Sequence, residues 1–131
     1  IVQRETAQPT DKPLVAAVYL NRLRRGQPLQ ADPTLLWPLH GLSTRKRVLN
    51  VDKKVASPYN TYRHKGLPPG PITTPRPSSL DAVLRPAHND NLFFCARPDG
   101  SGFSDFAATY AAHKRNARRY QHRLDSLGVK R

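Results

Sequence analysis

Apolar residues recur at helical spacing in several stretches of this chain and at strand-like density in one. Leu14, Val15, Val18 and Tyr19 predict a helix over 14–25, with Pro13 in its first turn, Thr10 or Asp11 at its cap and Gly26 as its stop. Before it, Ile1 to Glu5 reads as the continuation of a helix already under way, since four residues alone do not nucleate one. The segment Ser78-Ser79-Leu80-Asp81 opens a short helix that Pro86 closes. Leu92 to Ala96 predicts a strand, followed by an Asp99-Gly100 turn and a second strand or bend around Phe103. Phe106, Tyr110, His113, Ala117, Tyr120, Leu124 and Leu127 form a stripe at three- and four-residue steps, which predicts a long last helix. Residues 27–77 hold most of the thirteen prolines and little periodicity, so they read as ordered loops with short strands or turns. The order of elements predicts an α+β domain: several helices, a small sheet and long proline-rich loops in one unit spanning 1–131.

Composition then narrows the partners. A net charge of +13 favours anionic ones, among them nucleic acid, anionic lipid and acidic wall polymer. The basic residues are scattered over loops and the last helix without interleaved aromatics, which speaks against a nucleic-acid-binding domain and leaves that reading as a rival. Arg45-Lys46-Arg47 and Lys53-Lys54 read first as solvated surface. The single cysteine, Cys95, excludes an internal disulfide and reads as a buried small hydrophobe in its apolar flank. No Cys/His cluster has the spacing of a zinc site, and no cofactor or metal is expected. No apolar run approaches the roughly 20 residues that span a bilayer. The absence of methionine even at position 1 suggests a piece of a longer protein.

The candidate chemistry begins with Glu5, the only glutamate; the other eight acids are all aspartate. Gln30-Ala31-Asp32-Pro33-Thr34 is a second polar segment, in which Asp32 reads as a local cap ahead of a substrate contact. The third is Tyr59-Asn60-Thr61-Tyr62, followed by Gly66-Leu67-Pro68-Pro69-Gly70-Pro71-Ile72. Two tyrosines flanking an amide suit a sugar ring and its N-acetyl group, and the proline run fixes the loop that carries them. His113 lies on the apolar stripe and reads as a satisfied core histidine; His40, His64, His88 and His122 read as surface residues.

Five blocks, in order and covering nearly the whole chain, resemble the catalytic domain of the YceG-like endolytic murein transglycosylases. They are Ile-Val-Gln-Arg-Glu-Thr, Val-Ala-Ala-Val-Tyr-Leu-Asn-Arg-Leu, Pro-Leu-Gln-Ala-Asp-Pro-Thr, Pro-Tyr-Asn-Thr-Tyr with Gly-Leu-Pro-Pro-Gly-Pro-Ile, and Ser-Leu-Asp-Ala-Val-Leu-Arg-Pro-Ala. The resemblance implies that Glu5 is the catalytic acid with Tyr59-Asn60 near it; Tyr62 beside them and Gln30 in its polar loop are the further residues expected to bind substrate. It implies cleavage of the MurNAc-GlcNAc bond in peptidoglycan glycan strands with one carboxyl, first as acid and then as base toward the 6-hydroxyl, giving 1,6-anhydro ends. Ordinary glycoside hydrolysis, by contrast, uses two carboxyls. Such an acid needs a raised pKa, so desolvation by neighbours such as Ile1 and Val2 must outweigh the positive field. The resemblance further implies an inner-membrane location on the extracytoplasmic face, cell-wall synthesis enzymes as partners, and a membrane helix and LysM-like domain ahead of Ile1. The chain departs from the family pattern at Gln3, where relatives carry an acid, and at Ser104, where they carry a histidine. Those departures define the second rival, a non-catalytic glycan-binding relative.

Overall fold

A computed structural model describes residues 1–39 and 48–128, with side chains over the same ranges except 37–39. Arg45-Lys46-Arg47 and His40 therefore lie outside the described residues. The order is α1 (Val2–Glu5), α2 (Lys12–Arg24), α3 (Asp32–Leu39), a 3-10 turn (Asn50–Lys54), α4 (Pro77–Leu84), β1 (Phe93–Ala96), β2 (Ser104–Ala107) and α5 (Tyr110–Ser126). The domain is α+β.

Helix α2 is the centre of the core because small and branched residues run down most of its surface. Val15, Ala16, Ala17 and Val18 are buried, and Val2, Leu29, Ala31 and Ala82 close around Val15, Ala16 and Tyr19. Alanines let neighbouring backbones approach, so α1 and α4 both pack on α2. Polar ties fix the same junctions: the Lys12 ammonium donates to Ser78 Oγ at 2.8 Å. Asp11 stands at the helix cap, yet its carboxylate does not cap. Its Oδ2 accepts from the Ser104 backbone N–H at 2.8 Å, so a buried aspartate joins the helix start to the sheet. After Arg25 the chain turns through Gly26 at φ 66°, where Gly26 and Gln27 donate back to Leu23 and Arg22.

β1 and β2 pair antiparallel, with Phe94 opposite Phe106 and Ala96 opposite Ser104. Alternation sends Phe94 and Phe93 to opposite faces. Phe94 meets Tyr19 edge-on at 5.9 Å, whereas Phe93 lies against α5.

Four expectations need correction. The stretch 27–77 contains α3 and a 3-10 turn: Pro33 sits in the first turn of α3, where a proline is tolerated. α5 begins at Tyr110, Phe106 belongs to β2, and no α5 residue is fully buried. Cys95 is half-buried, one strand position from the exposed end of β1. His113 is also half-buried, stacked on Phe93, and its Nδ1 is enclosed without a hydrogen-bond partner.

Candidate active site

Glu5 closes α1, whose backbone bonds run from the Arg4 and Glu5 N–H groups to the Ile1 carbonyl. Thr6 turns extended and is buried, and its Oγ1 accepts from the Gln8 N–H at 3.0 Å, which ends the helix and fixes the carboxyl's base. The Glu5 carboxyl points to α2, where the Tyr19 hydroxyl donates to Oε1 at 2.6 Å. Tyr19 is only 7% exposed and its own ionisation is pushed up by burial, so it keeps its proton. Burial raises the Glu5 pKa to about 7, and the Asp32 charge adds to that rise. The Tyr19 hydrogen bond and the positive charge of Arg22 oppose it, so desolvation decides the outcome.

One helical turn beyond Tyr19, Arg22 is locked by its Nε donating to Leu92 O at 2.7 Å and its Nη1 to Leu29 O at 2.5 Å. Burial lowers its pKa somewhat, as expected for a guanidinium drawn partly out of water. Asp32 starts α3 and accepts from the Tyr62 hydroxyl at 2.5 Å. Burial and this bond push the Tyr62 ionisation well up. Its ring also carries the Lys53 ammonium at 5.2 Å. Glu5, Tyr19, Arg22, Asp32 and Tyr62 thus form one electrostatic group, in which Glu5, Arg22 and Asp32 each act on several of the others.

The remaining sequence candidates fall differently. Asn60 is fully buried. Its Nδ2 donates to Lys53 O at 3.1 Å and Val55 O at 2.8 Å, and its Oδ1 accepts from the Tyr62 N–H at 2.9 Å. An amide so engaged cannot also bracket an acetamido group; it shapes the loop that presents Tyr62. Tyr59 is half-buried, with its hydroxyl 3.3 Å from where a side chain on Gly70 would begin, so it braces the proline run. Gln30 is exposed in a left-handed conformation at φ 50°, held by its N–H donating to Thr61 O at 3.3 Å. Buried Thr61 in turn accepts from the Ala31 N–H at 2.9 Å, tying the Tyr62 loop to the start of α3.

Gln3 has a structural explanation. Its Oε1 accepts from the Arg76 N–H at 2.9 Å and from Ser79 Oγ at 2.7 Å, joining α1 to the start of α4. A carboxylate at this position would accept the same two bonds. Ser104 meets Asp11 through its backbone N–H, a contact that any residue but proline makes.

Two features lay beyond sequence reasoning. Tyr19 read as one more apolar position on α2, and Arg22 was not singled out; neither has a local signal for its partner at Glu5 or Leu92, fourteen and seventy residues away. A cleft of about 430 Å³ beside α1 and α2 is lined by Ile1, Leu20, Leu23, Leu67, Leu80 and Val83 among others, and by Tyr19 but not Glu5. Its mostly apolar walls carry no carboxyl or imidazole. Among the described residues, no group of three or more His, Cys, Asp or Glu side chains is arranged to hold a metal ion. No helix among them is long and apolar enough to cross a membrane.

The profile of the YceG-like family matches residues 1–119. An endolytic murein transglycosylase of Bacillus subtilis is 37% identical over 120 residues, covering 92% of this chain and 32% of that protein. An endolytic murein transglycosylase of Streptococcus pneumoniae is 33% identical over 99 residues, covering 73% of this chain and 18% of its own length. In three dimensions, the crystal structure of a YceG-like protein from Listeria monocytogenes superposes with a TM-score of 0.80 at 37% identity, over 87% of this chain and 36% of that one. The chain therefore spans about a third or less of the length of these relatives.

Proposed function

Because this chain belongs to the YceG-like family, we propose that it is the catalytic part of an endolytic murein transglycosylase in which Glu5 acts as acid and then as base. The observation that carries the reading is a desolvated carboxyl with a pKa of about 7, held by one hydroxyl donor.

With Tyr19 donating to Oε1, the neutral carboxylic acid bears its proton on Oε2, the oxygen free to face substrate. That proton passes to the glycosidic oxygen between MurNAc and GlcNAc as the C1–O bond breaks, leaving positive charge on the muramic C1 and its ring oxygen. The Glu5 carboxylate so formed is stabilised by the same Tyr19 donor and by nearby Arg22. It then takes the proton of the 6-hydroxyl while that oxygen bonds to C1. The products are a 1,6-anhydro end and a free GlcNAc hydroxyl, and Glu5 returns to its neutral form. A pKa near the working pH serves both halves, since neither proton transfer is strongly uphill. Asp32 and Tyr62, which interact electrostatically with Glu5, would contact the sugars on the α3 side, with exposed Gln30 just ahead of that helix. An extracytoplasmic location, as the resemblance implies, would bring the site to its polymer.

A digest of purified peptidoglycan tests the reading. Wild-type protein yields muropeptides with 1,6-anhydro ends; Glu5→Gln yields about 10²–10⁴-fold fewer and keeps its far-UV circular dichroism. Reducing ends in place of anhydro ends, or undiminished turnover by Glu5→Gln, would overturn it. Binding without cleavage by the wild type would favour the non-catalytic relative.

A further inference from the structure

Helix α5 and strand β1 carry a set of rings that the chemistry at Glu5 does not use. Phe93 is their hub. The Tyr110 ring lies 5.7 Å from it, and His113 stacks on it at 5.1 Å and 18°. On its other approach stands the Arg22 guanidinium, 5.4 Å from the Phe93 centroid. Tyr110 itself is 62% exposed, with the Lys114 ammonium 5.5 Å from its ring. Most of a tyrosine ring left in water contributes little to folding, so packing does not explain its position. Its backing is firm, because Phe93 is pinned by its strand register opposite Ala107 and by the ring of His113. Burial, with the charge of Arg22 behind it, lowers the His113 pKa, which keeps that ring neutral and apolar.

Position gives the shelf its meaning. Arg22 is felt by the Glu5 carboxyl and also lies on Phe93, so the rings start one side chain away from the acid. From Arg22 they run outward in two steps, of 5.4 and 5.7 Å, to an exposed tyrosine. An endolytic enzyme must hold polymer on both sides of the bond it cuts. A sugar ring has an apolar face of C–H groups that packs on an aromatic face, and tyrosine suits a half-wet site.

We infer that Tyr110, backed by Phe93 and His113, is a second sugar subsite on the strand that Glu5 cleaves. It receives the face of an N-acetylamino sugar beyond the cleaved pair, and Lys114 pairs with an acidic substituent of the strand. The inference rests on the transglycosylase reading. The shelf contributes through substrate length: only strands long enough to reach Tyr110 gain from it.

Cleavage of long glycan strands and of a two-disaccharide fragment by wild type, Tyr110→Ala and Tyr110→Phe tests this. We expect Tyr110→Ala to lower kcat/KM on long strands roughly three- to tenfold through KM, the range of one aromatic contact. The short fragment serves as reference and is cut at the wild-type rate, Tyr110→Phe restores the long-strand rate, and thermal midpoints agree. An equal loss on both lengths, or no loss on either, overturns the subsite. If the wild type cuts nothing, the transglycosylase reading fails separately. Binding of uncut strands by Glu5→Gln with and without Tyr110→Ala then decides: weaker binding without the ring supports the subsite, and equal binding overturns it. Retention of a single-stranded oligonucleotide through Tyr110, with no retention of glycan, also overturns it.

Discussion

Two carboxyl–tyrosine pairs stand close together in this domain, and they are built alike only at first sight. Tyr19 donates to Glu5 at 2.6 Å, and Tyr62 donates to Asp32 at 2.5 Å. Tyr19 is buried and its carboxyl lies against the core of α1 and α2, whereas Asp32 is exposed at the start of α3. At Glu5 the carboxyl rises to about 7 although the hydrogen bond pulls it down. The hydrogen bond therefore orients; removal from water makes the acid. Asp32, reaching solvent, contributes its negative charge to that rise.

The largest effect that separates the pairs is on catalysis. Glu5→Gln removes the proton donor and lowers anhydro-product formation by about 10²–10⁴-fold, the usual contribution of general acid–base catalysis. Asp32→Asn, measured in the same digest, loses far less. The same substitution reports on stability. A carboxyl raised from 4.5 to about 7 binds more protons folded than unfolded between those values. Its favourable contribution is complete below pH 4.5 and is lost as pH rises through 7. Urea melts of wild type thus weaken over that window, while Glu5→Gln removes this decline and is more stable at pH 8 by about 3 kcal/mol.

Next in size is the support of the second pair. Asn60→Ala leaves two part-buried carbonyls and the Tyr62 N–H without their partner. It costs about 2–3 kcal/mol in denaturant melts. Activity falls with the folded fraction; a loss of activity at full stability would return Asn60 to the substrate groove.

Smaller still are the two hydroxyls. Tyr19→Phe costs about 1 kcal/mol, because the Glu5 carboxyl loses the Tyr19 hydrogen bond, and moves the Glu5 titration further up. Tyr62→Phe, at an exposed partner, costs less than about 0.5 kcal/mol. Equal costs would mean that burial does not distinguish the pairs.

Much of this arrangement was legible in the sequence where it depends on local pattern. The helix from Pro13 to Gly26, the helix closed by Pro86, the strand at Phe93 to Ala96 and the long last helix each follow from periodicity and punctuation. Glu5 drew notice as a lone glutamate in a resembling block. What was hidden depends on contacts between distant segments. Helix α3 has two prolines in eight residues, and only its packing, with Thr34 and Leu35 fully buried, holds it as a helix. Asn60 carries the residue type of a sugar-binding amide, but its partners at Lys53 and Val55 appear only once the 3-10 turn folds beneath it. Tyr19 becomes a hydrogen-bond donor to the acid only when α1 lies across α2.

The most direct measurement uses the same peculiarity that marks the chain. Glu5 is its sole glutamate, so incorporation of glutamate labelled with ¹³C at the side-chain carboxyl gives a single protein resonance, free of overlap. Its chemical shift, followed against pH alongside cleavage, should titrate with a midpoint of about 7 and coincide with the basic limb of the activity profile. A midpoint near the ordinary glutamate value of about 4.3, or a titration that activity does not follow, would contradict the account of Glu5 as a desolvated proton donor.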